Sequence, residues 1–203
     1  MQLDPTEMST RDLYTKMVQV ITPRPIAWVS TRSAAGVPNL APFSFFSGVG
    51  AKPPTVLFCP VNQRDGQPKD TLRNVRETGE FVVNIVSHRL VEAMNQSSAA
   101  YPAEVNEFSA IGLQEAPSTR LTAPRVAEAA VSLECRLHEA ITLGTGPGGA
   151  NIVIGRIVQW HLEDRLLDPD GTISAERLDT VGRMGGTGYV RTTDRFDLPR
   201  PQA

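Results

Sequence analysis

The stretch from Ala129 to Leu162 decides the fold class. It reads AAVSLECRLHEAITL (129–143), then GTGPGG (144–149), then NIVIGRIVQWHL (151–162). The first and last of these runs alternate apolar with polar residues closely enough to predict two long β-strands. The glycines and the proline between them favour a loop. The stretch therefore predicts a long β-hairpin.

The loop residues Gly144, Gly146 and Gly149 also match the spacing of a dinucleotide-binding fingerprint. That fingerprint works when a helix follows the glycines, because the helix N-terminus holds the pyrophosphate. Here Asn151-Ile152-Val153-Ile154 follows, which is typical of a strand, and Pro147 interrupts the loop. The glycines are therefore interpreted as a hairpin loop.

The rest of the chain alternates short strands with short helices. Strands are predicted at 26–31, 37–46, 55–60 and 81–86, and short helices near 10–21, 71–78, 87–101 and 104–111. Long helices do not follow each strand, so a doubly wound parallel sheet is disfavoured. We expect one domain over 1–203, mainly β with short helices and built as an antiparallel barrel.

Composition excludes several classes of function. Hydrophobic residues make up 40% of the 203 residues, so a packed core is expected. The net charge is −2 and no stretch is strongly basic, so no nucleic-acid partner is expected. No signal peptide and no run of about 20 apolar residues is present, which predicts a cytoplasmic protein without a membrane segment. Cys59 and Cys135 form no CxxC pair, and the three histidines are isolated, so no metal site is predicted.

Two segments carry candidate chemistry. In Asn39–Ser44 (NLAPFS), Pro42 cannot donate a hydrogen bond, so its strand is either at an edge or bulged. A bulge leaves backbone amides and carbonyls unpaired, and a heteroaromatic ring could use them. Asn39, Ser44 and Thr31 could add side-chain contacts. Lys69-Asp70-Thr71 is predicted to begin a helix, with Asp70 as its N-cap. The free amides of the helix N-terminus, the Lys69 cation and the Thr71 hydroxyl would suit a phosphate. A capped surface helix is the alternative interpretation.

Several segments, taken in order, resemble one known family. TPRPIA (22–27), NLAPFSFF (39–46), KDT (69–71) and FVVNI (81–85) are similar to the flavin reductase-like, FMN-binding split-barrel family. The nearest branch holds flavoredoxin and the reductase components of two-component monooxygenases. The resemblance continues through YP (101–102), EF (107–108), GL (112–113) and LEC (133–135), and ends at Arg183, Gly185-Gly186, Tyr189 and Arg200-Pro201.

The resemblance implies a split antiparallel β-barrel and a homodimer with FMN near its interface. In such proteins the bulged strand lines the isoalloxazine ring, and the helix start holds the phosphate or ribityl chain. The residues implied as cofactor-binding are Arg24, Trp28, Ser30, Thr31, Asn39, Ala41, Pro42, Phe43, Ser44, Lys69, Asp70, Thr71 and Tyr189. Two alternative interpretations remain open. Arg24 could be a surface arginine in a stiff turn, and Tyr189 could have only a packing role near the C-terminus. His161 is the one catalytic candidate. The alternative interpretation is that His161 is a partly buried histidine with a hydrogen-bond partner.

The implied reaction is hydride transfer from NADH or NADPH to FMN, supplying reduced flavin or electrons to an oxygenase or another acceptor protein. A rival is an electron carrier that keeps its FMN, like flavoredoxin, without nicotinamide chemistry. A ligand-binding module that has lost flavin is a second rival. The pyridoxamine-phosphate oxidase type of barrel is a third relative, to which the TPRP and NLAPFS segments do not point.

Overall fold

A single antiparallel sheet organises the protein. The computed structural model describes residues 1–201. Its strands are β1 (Ala27–Arg32), β2 (Pro38–Phe43), β3 (Phe46–Ala51), β4 (Pro54–Phe58), β5 (Glu80–Ile85), β6 (Glu115–Ala116), β7 (Arg125–Val126), β8 (Val131–Thr142), β9 (Asn151–Leu162), β10 (Val181–Arg183) and β11 (Tyr189–Arg191). The helices are α1 (Thr10–Val20), α2 (Asp70–Thr78), α3 (Val91–Gln96), α4 (Glu107–Ala110) and α5 (Ala175–Leu178). The mainly β class is confirmed.

The sheet curls into a split barrel. Seven strands pair in the order β2-β1-β5-β8-β9-β4-β3, so β2 and β3 are the two edges. These edge strands follow each other in the chain, and only Ser44 and Phe45 separate them. Six strand spacings would place the edges of a flat sheet about 29 Å apart, which two residues cannot span. The sheet therefore bends until its edges approach.

Aromatic side chains fill the barrel. The ring centroids of Phe43 and Phe58 lie 5.0 Å apart, and those of Phe58 and Phe81 lie 5.3 Å apart. Gly155 in β9 makes room for this cluster, because a Cβ there would lie 2.2 Å from Cζ of Phe81. The contacts link β2, β4, β5 and β9 across the interior, so packing inside the barrel holds the curl.

A second apolar core lies on the outer side of β1 and β2. Trp28 and Leu40 pack there with Met94 of α3, Phe108 of α4 and Val126 of β7. These elements are far apart in sequence, yet their side chains are almost completely buried. The outer core therefore fixes α3 and α4 beside the edge strand β2, where the site described below is formed.

The hairpin predicted from the sequence is confirmed, since β8 and β9 pair along their length.

Helix α1 begins after Ser9, whose hydroxyl accepts from the Asp12 amide. The sequence pattern predicts an apolar face of Leu13, Met17, Val20 and Ile21 for this helix, but Met17 and Val20 are 46% and 79% exposed and Val18 is the buried residue instead. Within residues 1–201, no helix is long and apolar enough to cross a membrane.

Candidate cofactor-binding groove

A groove runs along the free edge of β2 and joins segments that are distant in sequence. One part of it is lined by Asn39, Ala41, Pro42, Gln63, Lys69, Asp70, Thr71, Ser97, Ser98, Ala99, Ala100, Tyr101 and Glu107. At Pro42 and Ser98 it continues into a second depression, lined also by Tyr14, Ile26, Ser44, Met94, Arg183 and Tyr189. The structure thus brings the NLAPFS and KDT segments together.

Strand β2 is an edge without a bulge at Pro42. Its pairing with β1 is continuous from Ala27–Phe43 to Arg32–Pro38, so the edge alternative holds and the expected bulged strand is wrong. The amide of Leu40 points away from β1 and donates to Oε2 of Glu107 at 3.1 Å. Pro38 and Pro42 lie two residues to either side of Leu40 and face the same way. Proline has no N–H to leave unpaired there, so the edge offers mainly carbonyl oxygens to a ligand.

The start of α2 offers free backbone donors to the groove. The helix begins at Asp70, with Lys69 as its N-cap and no side-chain capping bond, so Asp70 is the first helical residue rather than the expected cap. The carboxylate of Asp70 instead pairs with Arg73 at 2.6 Å. The first amides of a helix have no partner within it, and its N-terminus carries a partial positive charge. Together with the Lys69 ammonium, this end of the groove suits an anion.

A buried polar network aims the Thr71 hydroxyl. The Asn39 side-chain amide donates to Oγ1 of Thr71 at 2.9 Å and to Oγ1 of Thr31 at 3.3 Å. Asn74 donates to the same Thr31 oxygen at 3.0 Å. Because Asn39 occupies a lone pair of the Thr71 oxygen, the Thr71 proton is left for another acceptor. Thr31 lies beneath the groove and supports Asn39 rather than lining the surface.

Three other residues of the cofactor-binding prediction lie behind the groove. The indole of Trp28 donates to Oγ of Ser97 at 2.9 Å and thereby positions a lining residue. Ser30 is buried and donates to the carbonyl of Pro124. Phe43 belongs to the barrel core. These residues support the groove without lining it.

Arg24 links the end of α1 and the segment after β10 to the sheet. Its guanidinium donates to the carbonyls of Val18 (2.8 Å), Ile21 (2.6 Å) and Met184 (3.0 Å), and its Nε donates to Oγ of Ser44 at 3.2 Å. Burial lowers the pKa of Arg24, although these acceptors surround it. Arg24 is therefore no surface arginine, and it reaches the groove only through Ser44.

His161 lies in a different cavity. That cavity is lined by Arg125, Trp160 and His161 with their neighbours, and none of its lining residues lines the groove. Nε2 of His161 lies 2.5 Å from Oε1 of the buried Glu134. Burial by itself raises the pKa of Glu134, but its hydrogen bonds with the amides of Thr119 and Arg120 and with His161 lower it overall. The geometry is that of a hydrogen-bonded pair linking strands and loop.

Tyr189 borders the far end of the groove. The guanidinium of Arg183 lies over its ring, 4.4 Å from the centroid. Its hydroxyl donates to Oδ1 of Asn95 at 3.3 Å, which connects β11 to α3. The Tyr189 ring thus packs against the C-terminal segment and also lines the groove, and its role in cofactor binding stays a prediction.

The segment 97–107 is the part of the site that the sequence did not predict. Ser97, Ser98, Tyr101 and Glu107 line the groove, as does Gln63. Of these, only Tyr101 and Glu107 lie in segments quoted for the family resemblance. Glu107 is almost fully buried, and burial together with the charge of Asp70 raises its pKa. A buried carboxyl in a cleft was a usable signal only once the fold was known.

Comparison with known proteins settles the family. Residues 19–178 match the model of the flavin reductase like domain. The chain belongs to this family. A relative, an uncharacterised protein of Halalkalibacterium halodurans, is 42% identical to this chain, over 99% of this chain and 97% of its own length.

Three solved structures are similar along nearly the whole chain. Nitrilotriacetate monooxygenase component B from Bacillus cereus is 35% identical with a TM-score of 0.92, covering 98% of each chain. The 2-nitrobenzoate 2-nitroreductase of Pseudomonas fluorescens is 30% identical with a TM-score of 0.88, covering 99% of this chain and 96% of its own. A protein with a split barrel domain from Shewanella frigidimarina, 26% identical with a TM-score of 0.83, covers 99% of this chain and 100% of its own. The split-barrel architecture expected from the sequence is thereby confirmed.

Proposed function

We propose that this protein is a homodimeric, FMN-dependent NAD(P)H:flavin oxidoreductase. The observation that carries the proposal is the groove itself. It places a carbonyl-lined strand edge beside an uncapped helix N-terminus that bears Lys69. FMN has a flat ring with alternating hydrogen-bonding atoms at one end and a phosphate at the other. The strand edge suits the ring, and the helix N-terminus suits the phosphate.

The residues present fit the phosphate end of FMN. A phosphate needs several donors and a positive potential. The free amides at the start of α2, the Lys69 ammonium and the directed Thr71 hydroxyl supply both. These residues would hold the phosphate and the ribityl chain.

The ring would lie against Ala41, Pro42 and Ser44, with Tyr189 at the far end. Bound FMN supplies the redox chemistry, since it accepts a hydride and passes electrons on. The protein would hold the ring in place and shield one side of it from water. The Ser44 hydroxyl, whose oxygen accepts from Arg24, keeps its proton to donate toward added negative charge on the ring. None of these roles requires a general acid or base from His161.

The relatives support a partner that receives the electrons. Component B is named as one part of a monooxygenase, and the second structure is named as a nitroreductase. For this chain we propose an oxygenase or another electron-acceptor protein as the partner, with NADH or NADPH as the hydride donor. The alternative from the sequence is a carrier that keeps FMN and does not oxidise nicotinamides.

An anaerobic absorption experiment tests the proposal. The purified protein, loaded with FMN and freed of excess, is mixed with NADH or NADPH, and the flavin band is followed. We expect bleaching with at least one donor, and the faster donor identifies the co-substrate. A bound flavin that stays oxidised with both donors would favour the carrier. A protein that takes up no FMN would refute the flavin site.

A further inference from the structure

The C-terminal segment leaves the body of the protein with its apolar side chains in solvent. From Thr193 to Pro201 the chain forms no helix or strand, and Phe196 and Leu198 are 87% and 85% exposed. Among residues 1–201, no hydrogen bond of this segment to the rest of the chain is present. Two large apolar side chains on an extended segment lose favourable burial unless another surface covers them.

The base of this segment is held firmly, so its exit direction is fixed. Arg191 donates to both carboxylate oxygens of Asp179, at 2.6 and 2.7 Å. The next residue, Thr192, donates its amide to the carbonyl of Thr180 at 3.0 Å. The segment beyond Thr192 therefore projects from a defined point on the surface.

An apolar cavity lies at that same point. It has a volume of about 330 Å³, and its apolar lining includes Pro25, Ile26, Phe46, Ile85 and Val181, while Thr192 also lines it. Apolar cavities of about 150 Å³ hold a benzene ring, so this one has room for a phenylalanine side chain. The cavity and the exposed segment are thus complementary features on one face of the molecule.

We propose that the segment Thr193–Pro201 of one copy lies across a second copy of the same chain, and that Phe196 enters the apolar cavity of that second copy. Since the segment starts beside its own cavity, two copies related by a two-fold axis can exchange segments reciprocally. Such an isologous contact closes at two copies and does not propagate into fibres.

The area available is sufficient for a dimer. A nine-residue extended segment spans about 30 Å and covers a strip about 10 Å wide. Two segments on two receiving surfaces would bury about 1,200 Å² in total, which reaches the lower bound for specific interfaces. Arg24 lines the cavity and also donates to Ser44 of the groove, so the contact lies close to the proposed flavin site. The inference rests on the proposed homodimer but not on FMN.

Sedimentation equilibrium of the full chain provides the first test. We expect the double substitution Phe196→Ser and Leu198→Ser to raise the dimer dissociation constant at least tenfold. The matched control is Leu143→Ser. Leu143 is an exposed leucine that follows the last residue of β8, and its substitution should leave the dimer dissociation constant unchanged. An unchanged dimer in the double variant would overturn the exchange alone. A monomeric wild-type protein would overturn the homodimer as well, while FMN binding can still be measured.

Cross-linking identifies which copy the segment covers. In a Cys59→Ser background, Phe196→Cys and Phe46→Cys are combined, and the protein is oxidised and run on a non-reducing gel. We expect a covalent dimer, and none when Phe196→Cys is combined with Leu143→Cys. A disulfide within one chain would show that the segment folds back on its own cavity, and no disulfide would show that it does not reach the cavity. Both results would refute the proposal.

Discussion

The carboxylate of Glu107 accepts a hydrogen bond from the backbone amide of Leu40, at 3.1 Å, on the free edge of β2. A side chain from α4 thereby takes the place of a neighbouring strand. The contact satisfies the amide between the two prolines of this edge, Pro38 and Pro42. It also holds α4 against the strand on which the proposed flavin ring would lie.

Substitution of Glu107 separates its charge from its hydrogen bond. Burial raises the pKa of Glu107, with a further contribution from Asp70, so the folded state binds its proton more tightly than the unfolded state does. The free energy of unfolding therefore decreases as pH rises from the ordinary glutamate range through the raised pKa. Glu107→Gln keeps an acceptor and should be at least as stable as wild type at pH 7.5. Glu107→Ala leaves the amide unpaired and should lose about 1–3 kcal/mol.

Urea unfolding at pH 5 and pH 7.5 measures both effects. We expect the glutamine variant to gain relative to wild type as pH rises, because it lacks the ionisation that opposes folding. Equal losses in the two variants at both pH values would show that the carboxylate does not act through the Leu40 amide.

Lys69 should distinguish FMN from riboflavin, which lacks the phosphate. A hydrogen bond to a charged group contributes about 1.5–3 kcal/mol, so Lys69→Met should weaken FMN about 10- to 100-fold. Riboflavin affinity should stay within about twofold, since the ring end of the groove is unchanged. Titration of flavin fluorescence measures both constants, with the exposed Lys52→Met as the matched control. Equal weakening of both flavins would place the phosphate elsewhere.

The Glu134–His161 pair should make the protein sensitive to acid. Burial raises the pKa of Glu134, but its hydrogen bonds lower it overall, so the unfolded state binds this proton more tightly. Its contribution is complete above the ordinary glutamate pKa and is lost as pH falls through the lowered pKa. Glu134→Gln should cost about 1–3 kcal/mol at pH 7 and flatten the stability profile below about pH 4.5.

Thermal or urea unfolding across pH 3–7 checks this profile. His161→Ala should lower stability at pH 7 in the same direction, because it removes one of the three donors to Glu134. A His161 variant of normal stability that no longer reduces bound flavin would instead assign His161 to the chemistry.

Arg24 should matter for stability more than an ordinary arginine. Lysine keeps the charge at this position but cannot reach all four acceptors of the guanidinium, which lie in different directions. Arg24→Lys should therefore lose about 1–3 kcal/mol and make α1 more accessible to protease. The exposed Arg64→Lys should change neither. A fully stable Arg24→Lys variant would show that the carbonyls of Val18, Ile21 and Met184 find other donors.

The sequence predicted the site only in part, for a reason that β1 illustrates. Both faces of this strand are buried, one in the barrel and one under α3 and α4. The twofold alternation of side chains therefore did not reveal which residues of β1 and β2 border the groove. Trp28, Ser30 and Phe43 were predicted as cofactor-binding, whereas the structure places them in the supporting layers.

Local chemistry determined by itself that β8 and β9 form a hairpin, that Pro42 has no amide to offer a neighbouring strand, and that a helix starts beside Lys69. These properties depend on neighbouring residues, and the order of the motifs along the chain indicated the family. Only the tertiary structure decided that β2 is a free edge, that Asn39 meets Thr71, and that Ser97 and Glu107 close the groove. Those contacts arise because the sheet curls around its aromatic core, and the free energy of that packing comes from residues far apart in sequence.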